Sequence, residues 1–392
     1  MSHLNTFTNQ PVIRREQTYV LDRKLVSIHS EDRDVKKWKN SNRFEVRLPE
    51  AIKNVQSMRL INISVPNNLY TFTNSYQNTK LTFQITPSNY AVANNNVENK
   101  LTVNKTNIYT ITIDEGIYTN EQMANMLTNR MNDAVTTFLK GDQTAELGGS
   151  ALVVNYDYTH FVVKYNEVAR TFVFGNRFDS FSITADAIIN YNINECEQKI
   201  VCDQYTKWGL PFYLGFTKDV FTSTQLKHAD GARLDHETTA WVTPATDISA
   251  NNTSIYQLTA PNMSSVYGET DIYLDVDKYN NLSEIAPYAE ATNNMYNNDY
   301  RGMIKNAFAK IPLTNDATTL ITNSNNGSLA YMMSHFTTPI ESIQKLLFRF
   351  RFHDGRLVDF KDTNFNLVIE FNCLLDEPMK QYNLRVPATL TL

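Results

Sequence analysis

Hydrophobic and polar positions alternate most regularly near the end of the chain, in TPIESIQKLLFRFRFHDGRLVDFKDTNFNLVIEFN, Thr338 to Asn372. Leu346, Phe348, Phe350 and Phe352 alternate with Lys345, Leu347, Arg349 and Arg351, the period of a strand with one apolar face. His353, Asp354 and Gly355 signal a turn. A loop of Asp354 and Gly355 alone would set Phe350 opposite Asp359. A three-residue loop instead sets Phe350 opposite Val358, Phe348 opposite Phe360 and Arg349 opposite Asp359, with Gly355 at a left-handed position. Phe365, Leu367, Ile369 and Phe371 mark a third strand. The pattern predicts an antiparallel meander whose apolar face is covered by another sheet.

The same alternation runs through the earlier chain. It predicts strands over Thr18 to His29, Arg43 to Leu48 (ended by Pro49), Val55 to Val65, Lys80 to Thr86 and Tyr109 to Ile113. Further strands are expected at Leu152 to Tyr156, Phe161 to Tyr165, Thr171 to Phe174, Phe181 to Thr184, Asp271 to Asp277 and Ala307 to Leu313. One helix interrupts them. Thr119-x-x-Gln122 has the form of a capping box, and Met123, Leu127, Met131, Ala134, Val135 and Phe138 recur at helical steps until Gly141. Its single apolar stripe predicts packing on a sheet. Trp208 to Phe216, WGLPFYLGF, is too irregular for a long strand and too apolar for an exposed loop; it reads as a plug under one end of a sandwich. Thr217 to Ala250 reads as polar loop with short strands, and Tyr279 to Tyr300 as a polar surface excursion.

This organisation predicts a mainly β protein: an antiparallel β-sandwich, one large or two, with an inserted amphipathic helix near 119–139. Residues 1–17 form an extended arm, 18–250 a sandwich region carrying the helix, 251–375 a second β region able to pair with the N-terminal strands, and 376–392 a tail. The 392 residues give ample core, and 21 Tyr with 21 Phe supply β-formers. A net charge of −5 provides no basic field for nucleic acid. Three cysteines (Cys196, Cys202, Cys373) without metal-type spacing argue against a disulfide framework or a zinc site and fit a reducing compartment. The first residues lack the apolar core of a signal peptide, and no apolar run approaches the ~20 residues that span a bilayer.

Three constellations bear on chemistry. Asp271, Asp275 and Asp277 share one side of a strand and could serve glycoside hydrolysis, but alternation alone produces a solvated acidic face. His228, Asp230, Asp235, His236 and Glu237 could hold a divalent cation, yet no HxH or HExxH spacing is present and a polar loop is the simpler reading. Arg349 and Arg351 beside aromatic residues could stack on bases, but the expected pairing with Asp359 occupies Arg349. No phosphate loop, nucleophile elbow or cysteine–histidine pair stands out, so the sequence assigns no catalytic, cofactor-binding or metal residue and no cofactor.

Several segments carry a resemblance. SIHSEDRDVKKWKNSNRFEVRLPE (Ser27 to Glu50), TIDEGIYTNEQMANMLTNRMN (Thr112 to Asn132), GLPFYLGF (Gly209 to Phe216), DIYLDVDKYN (Asp271 to Asn280), FAKIPL (Phe308 to Leu313) and KLLFRFRFHDGRLVDF (Lys345 to Phe360) resemble, in this order, minor capsid proteins of nucleocytoplasmic large DNA viruses, the chlorovirus and giant-virus group. The resemblance implies a jelly-roll-like sandwich and a structural place in an icosahedral virion assembled in the host cytoplasm. It implies contacts with the major capsid protein, with other minor capsid proteins and with further copies; some such proteins form vertices and others face an internal membrane. It supplies no catalytic or metal residue. The usual glycine-rich N-terminal pattern of the major capsid protein is not seen, which favours a minor component. Two other functions compete: a vertex or glycan-binding module using Tyr279, Tyr288, Tyr296 and Tyr300 as platforms, and a hydrolase using the acidic strand.

Overall fold

The computed structural model describes residues 20–65, 69–88, 90, 95–103, 108–141, 154–186, 209–227, 230–245, 254–285, 304–313, 321–322, 332–353 and 355–375. In chain order the elements are β1 (Val20–His29), β2 (Arg43–Val65), β3 (Lys80–Thr86), α1 (Asn95–Val103), β4 (Ile108–Thr112), α2 (Asn120–Lys140), β5 (Phe161–Asn166), β6 (Thr171–Asn176) and β7 (Ser180–Ile183). There follow α3 (Leu210–Tyr213), β8 (Phe221–Thr222), β9 (Thr224–Lys227), β10 (Ser254–Thr259), β11 (Asp271–Val276), β12 (Leu282–Ile285), β13 (Ile304–Ala307), β14 (Ala309–Pro312), β15 (Ile321–Thr322), β16 (Met333–Arg351) and β17 (Asn366–Leu375). The protein is mainly β, with antiparallel sheets in a sandwich, jelly-roll-like arrangement and few helices.

Two four-stranded sheets, ordered β4-β3-β7-β8 and β5-β6-β10-β9, face each other. Phe161 of β5 meets Phe83 of β3 and Phe181 of β7 edge-on at 5.1 and 5.2 Å, so one core is made from both inner faces. The capping box of α2 forms as predicted. Thr119 Oγ1 accepts from Gln122 N at 3.2 Å and Gln122 Oε1 accepts from Thr119 N at 3.0 Å. Met123, Leu127, Met131 and Val135 are fully buried. The helix packs against β4 and β5, one edge strand from each sheet, and so closes one side of the sandwich.

Phe161 and Val163 point their backbone groups away from β6 and toward α2. Asn132 takes both groups of Phe161, accepting from its N–H and donating to its C=O, each at 2.9 Å. Thr128 accepts from Val163 N and Thr136 from Tyr158 N, both at 2.9 Å. Polar residues at four-residue steps thus do what a neighbouring strand would do for an exposed edge.

The described residues hold two more α-helices than expected. Lys100 of α1 is buried and donates to the carbonyls of Leu139 and Gly141 at 2.7 and 2.6 Å, a cation on the C-terminal end of α2. α3 lies inside the segment read as a plug, and Leu210, Pro211, Tyr213, Leu214 and Phe216 are buried. Gly215 closes it at φ +95°, where a Cβ would stand 2.2 Å from the Asn262 carbonyl oxygen. Val154 to Tyr156 is not a strand; Val154 N bonds the Leu139 carbonyl instead.

The second core sits on a seven-stranded sheet in the order β1-β17-β2-β16-β11-β14, with β15 also on β2. Here the expected meander is corrected. β16 and β17 do not neighbour each other; both flank β2, more than 250 residues earlier in the chain. After the turn, Gly355 is left-handed at φ +88° and Val358 N bonds Phe350 O at 3.1 Å, the predicted register. The pairing then stops at a single bridge, Arg351 to Leu357, because β2 takes over that edge of β16: Phe350 N bonds the Asn42 carbonyl at 2.8 Å and Arg349 pairs with Arg43. Residues beyond the turn fold over the sheet: Phe360 and Phe365 pack on Phe350 at 5.3 and 4.9 Å. Part of the apolar face is therefore covered by this connection rather than by another sheet.

Pro49 does not end a strand. β2 runs 23 residues through it. Against β16, Arg47 pairs with Lys345 and Ile52 with Ile343, so Leu48 to Ala51 bulge out opposite one residue. Pro339 occupies the reciprocal irregularity in β16, between His335 and Ile340. Bulges are where a missing N–H costs the sheet least. Against β17 the register shifts at Gln56 and at Ile61. Each shift flips the inward parity, which is why Val55, then Met58 and Leu60, then Ile63 and Val65 are the buried set.

Candidate functional site

The acidic strand is the first place to look for chemistry. Asp275 is buried, not solvated as expected. Register explains this: β11 pairs with β16 so that Asp275 faces Arg349 and Tyr273 faces Arg351. Asp275 Oδ2 accepts from Arg349 Nε and Nη2 at 3.0 and 2.7 Å and from Arg351 Nε at 2.9 Å. Arg349 therefore pairs with Asp275, and the expected pair with Asp359 does not form. Arg351 also donates to Glu284, whose second oxygen lies 3.3 Å from His353 Nδ1. The guanidinium of Arg351 stands over the Tyr273 ring at 5.2 Å.

Burial alone would lower the Arg351 pKa; hydrogen bonds and charge from Asp275 and Glu284 outweigh it and raise it. Burial, then the charge of Glu284, pushes the Tyr273 hydroxyl up to about 12. Each charge answers another, and the bases that Arg349 and Arg351 might have stacked on are replaced by a carboxylate. Asp271 binds Lys310 at 3.1 Å and Asp277 is exposed, so the three aspartates do not converge.

A second cluster was not foreseen. Asp179 is fully buried and accepts from Tyr90 Oη at 2.6 Å, Tyr158 Oη at 2.8 Å and Ser88 N at 2.8 Å. Asn176 donates to the Tyr158 hydroxyl at 2.8 Å, and the buried His160 ring packs edge-on to Tyr158 at 4.6 Å. Burial pushes the Asp179 carboxyl up to about 6, and its three donors only partly oppose that. Burial, then the charge of Asp179, raises the Tyr158 hydroxyl well above its ordinary value. Such shifts are the marks of acid–base chemistry, but a substrate has no way in: Asp179, Tyr158, His160 and Asn176 are all at or below 1% exposure. Asn176 to Asp179 form a turn in which Asn176 Oδ1 accepts from the backbone N–H of Phe178 and Asp179, and no local pattern announces the tyrosines around it.

The loop considered for a metal gives no converging ligands. His228 lies outside the described residues, Asp230, Asp235 and His236 are exposed, and Glu237 is paired with Lys164. Among the described residues no group of three His, Cys, Asp or Glu could hold a metal. That loop borders an open hollow of about 480 Å³ beside the start of α2, lined by Glu121, Asn125, Lys164, Tyr165 and Glu237. Of the proposed aromatic platforms, Tyr279 is partly buried edge-on to Phe336 at 6.0 Å, and Tyr288, Tyr296 and Tyr300 lie outside the described residues. No described helix is long and apolar enough to cross a membrane.

A family model described as "Family of unknown function (DUF5901)" matches residues 12–152. No curated protein matches. Among solved structures, a chain of the Sputnik virophage cryo-EM structure at 3.5 Å aligns at 12% identity over 90% of this chain and 98% of that chain, with a TM-score of 0.37. The mavirus penton protein aligns at 8% identity over 90% and 99%, with a TM-score of 0.36.

Proposed function

We propose that this chain is a structural, non-enzymatic component of the shell of a large icosahedral DNA virus, a minor capsid protein that bridges or cements major capsid protein capsomers. One observation carries the reading. In the segments that resemble such capsid proteins, the charged and polar side chains serve the scaffold. Asp275 and Arg349 with Arg351 lock β11 to β16, Thr119 and Gln122 cap α2, and Arg33 ties the loop after β1 by donating to the carbonyls of Ser30 and Trp38 at 2.7 and 3.2 Å. Among the described residues of these segments, side chains spent this way are not left converging on a substrate, while a jelly-roll-like sandwich is suited to tiling. A vertex position is the second form of the same reading.

Quantitative mass spectrometry of purified particles tests it. The expected result is a fixed ratio of this chain to the major capsid protein across preparations. Its absence from particles, with hydrolase activity in the free protein that is lost in Asp275→Ala, overturns the proposal.

A further inference from the structure

The longest regular sheet edge in the described molecule is β1. It pairs with β17 over ten residues with no shift of register, and no described strand lies on its other side. Ser30 N bonds Phe365 O at 2.9 Å, so even-numbered residues of this strand turn their backbone groups toward β17. Leu21, Arg23, Leu25 and Ser27 therefore turn theirs outward. Soluble proteins usually guard such an edge with proline, a bulge or a short strand. β1 has none of these; its only guard is the charged run Asp22, Arg23 and Lys24, and it exposes Leu21 and Leu25 at 61% and 54%.

We infer that β1 is a self-association edge, pairing antiparallel with β1 of a second copy about a two-fold axis through Arg23. The charge pattern selects this register. Only pairings that match odd residues with odd bring outward backbone groups together. With Arg23 opposite its own copy, Leu21 faces Leu25 of the second copy and Asp22 faces its Lys24, each twice by symmetry. A two-residue slip one way sets Asp22 against Asp22; the other way sets Lys24 against Lys24. The central arginines do not meet uncompensated, because each is held by Glu370 of its own chain at 2.6 Å. The pairing would join two seven-stranded sheets into one. It does not depend on the capsid reading, and neither result below bears on whether the chain is in a particle.

The test is sedimentation velocity of the full chain over a concentration series, with charge-swap variants. The expected result is a reversible dimer. Asp22→Lys or Lys24→Asp alone should weaken it about tenfold, since two symmetric pairs turn repulsive. The double swap, Asp22→Lys with Lys24→Asp, should restore it. Leu25→Pro removes an outward N–H without touching the β17 ladder and should give monomer; the charge swaps, at exposed or half-exposed positions, stand in if that variant does not fold. A chain that is monomeric throughout, or a dimer indifferent to the swaps, overturns the inference. So does a monomer that dimerises only after residues 1–17 are removed, which would put the arm on this edge.

Discussion

At the scale of single residues, what decides the molecule is how buried charge is answered. Asp275 sits in a cluster where every charge has a partner, so it stabilises position rather than supplying reactivity. Asp179 differs, since its three partners are neutral and its carboxyl is held up to about 6 against an ordinary 3.8. The folded state thus binds the proton more tightly than the unfolded chain. Its contribution to stability is full below the ordinary value and is lost as pH rises through about 6. The loss amounts to about 3 kcal/mol for a shift of this size. Urea unfolding at several pH values should show the native chain losing that much relative to Asp179→Asn between acid and neutral pH. Parallel curves for the two proteins would contradict the assignment. None of this was legible in the sequence. An aspartate directly opposite Arg349 on the neighbouring strand but 74 residues away in the chain gives no local sign of its partner, and a turn aspartate gives no sign of two tyrosines closing on it.

At the scale of elements, legibility followed locality. The α2 helix was readable to within a residue at each end, because cap, stripe and stop are set within one segment. So was β3, where Leu81, Phe83 and Ile85 alternate without a break, and β5 to within a residue. The meander was not, because pairing energy is not written in either strand alone: β16 met β2 and β11, and the residues after the turn were displaced onto the sheet face. Pro49 misled for a similar reason, since its cost depends on whether a bulge accommodates it. α1 was hidden in Asn-rich text, where Val97 and Leu101 are the buried apolar positions among its described side chains. The edge-sealing face of α2 makes a direct prediction. Asn132→Ala strands the N–H and C=O of Phe161 and should lower stability by about 2–4 kcal/mol in chemical denaturation, with faster amide exchange confined first to β5. A loss near zero would mean that the helix rests on the sandwich without sealing it.

At the scale of the whole molecule, two cores are joined through a narrow set of contacts. Tyr76 reaches from the segment before β3 to meet Phe352 edge-on at 5.6 Å, and its hydroxyl accepts from Asp359 N at 3.0 Å. Arg356 pairs with Glu269 and Lys361 with Glu115, at 3.0 and 3.1 Å. Strands from both ends of the chain share the sheet beneath the second core, so the sandwich between them is looped out from a sheet that its flanks close. Cross-linking mass spectrometry on intact purified particles tests the central claim most directly. The account predicts cross-links from this chain to the major capsid protein at constant stoichiometry; a chain missing from the particles, or linked only to proteins outside the shell, contradicts it.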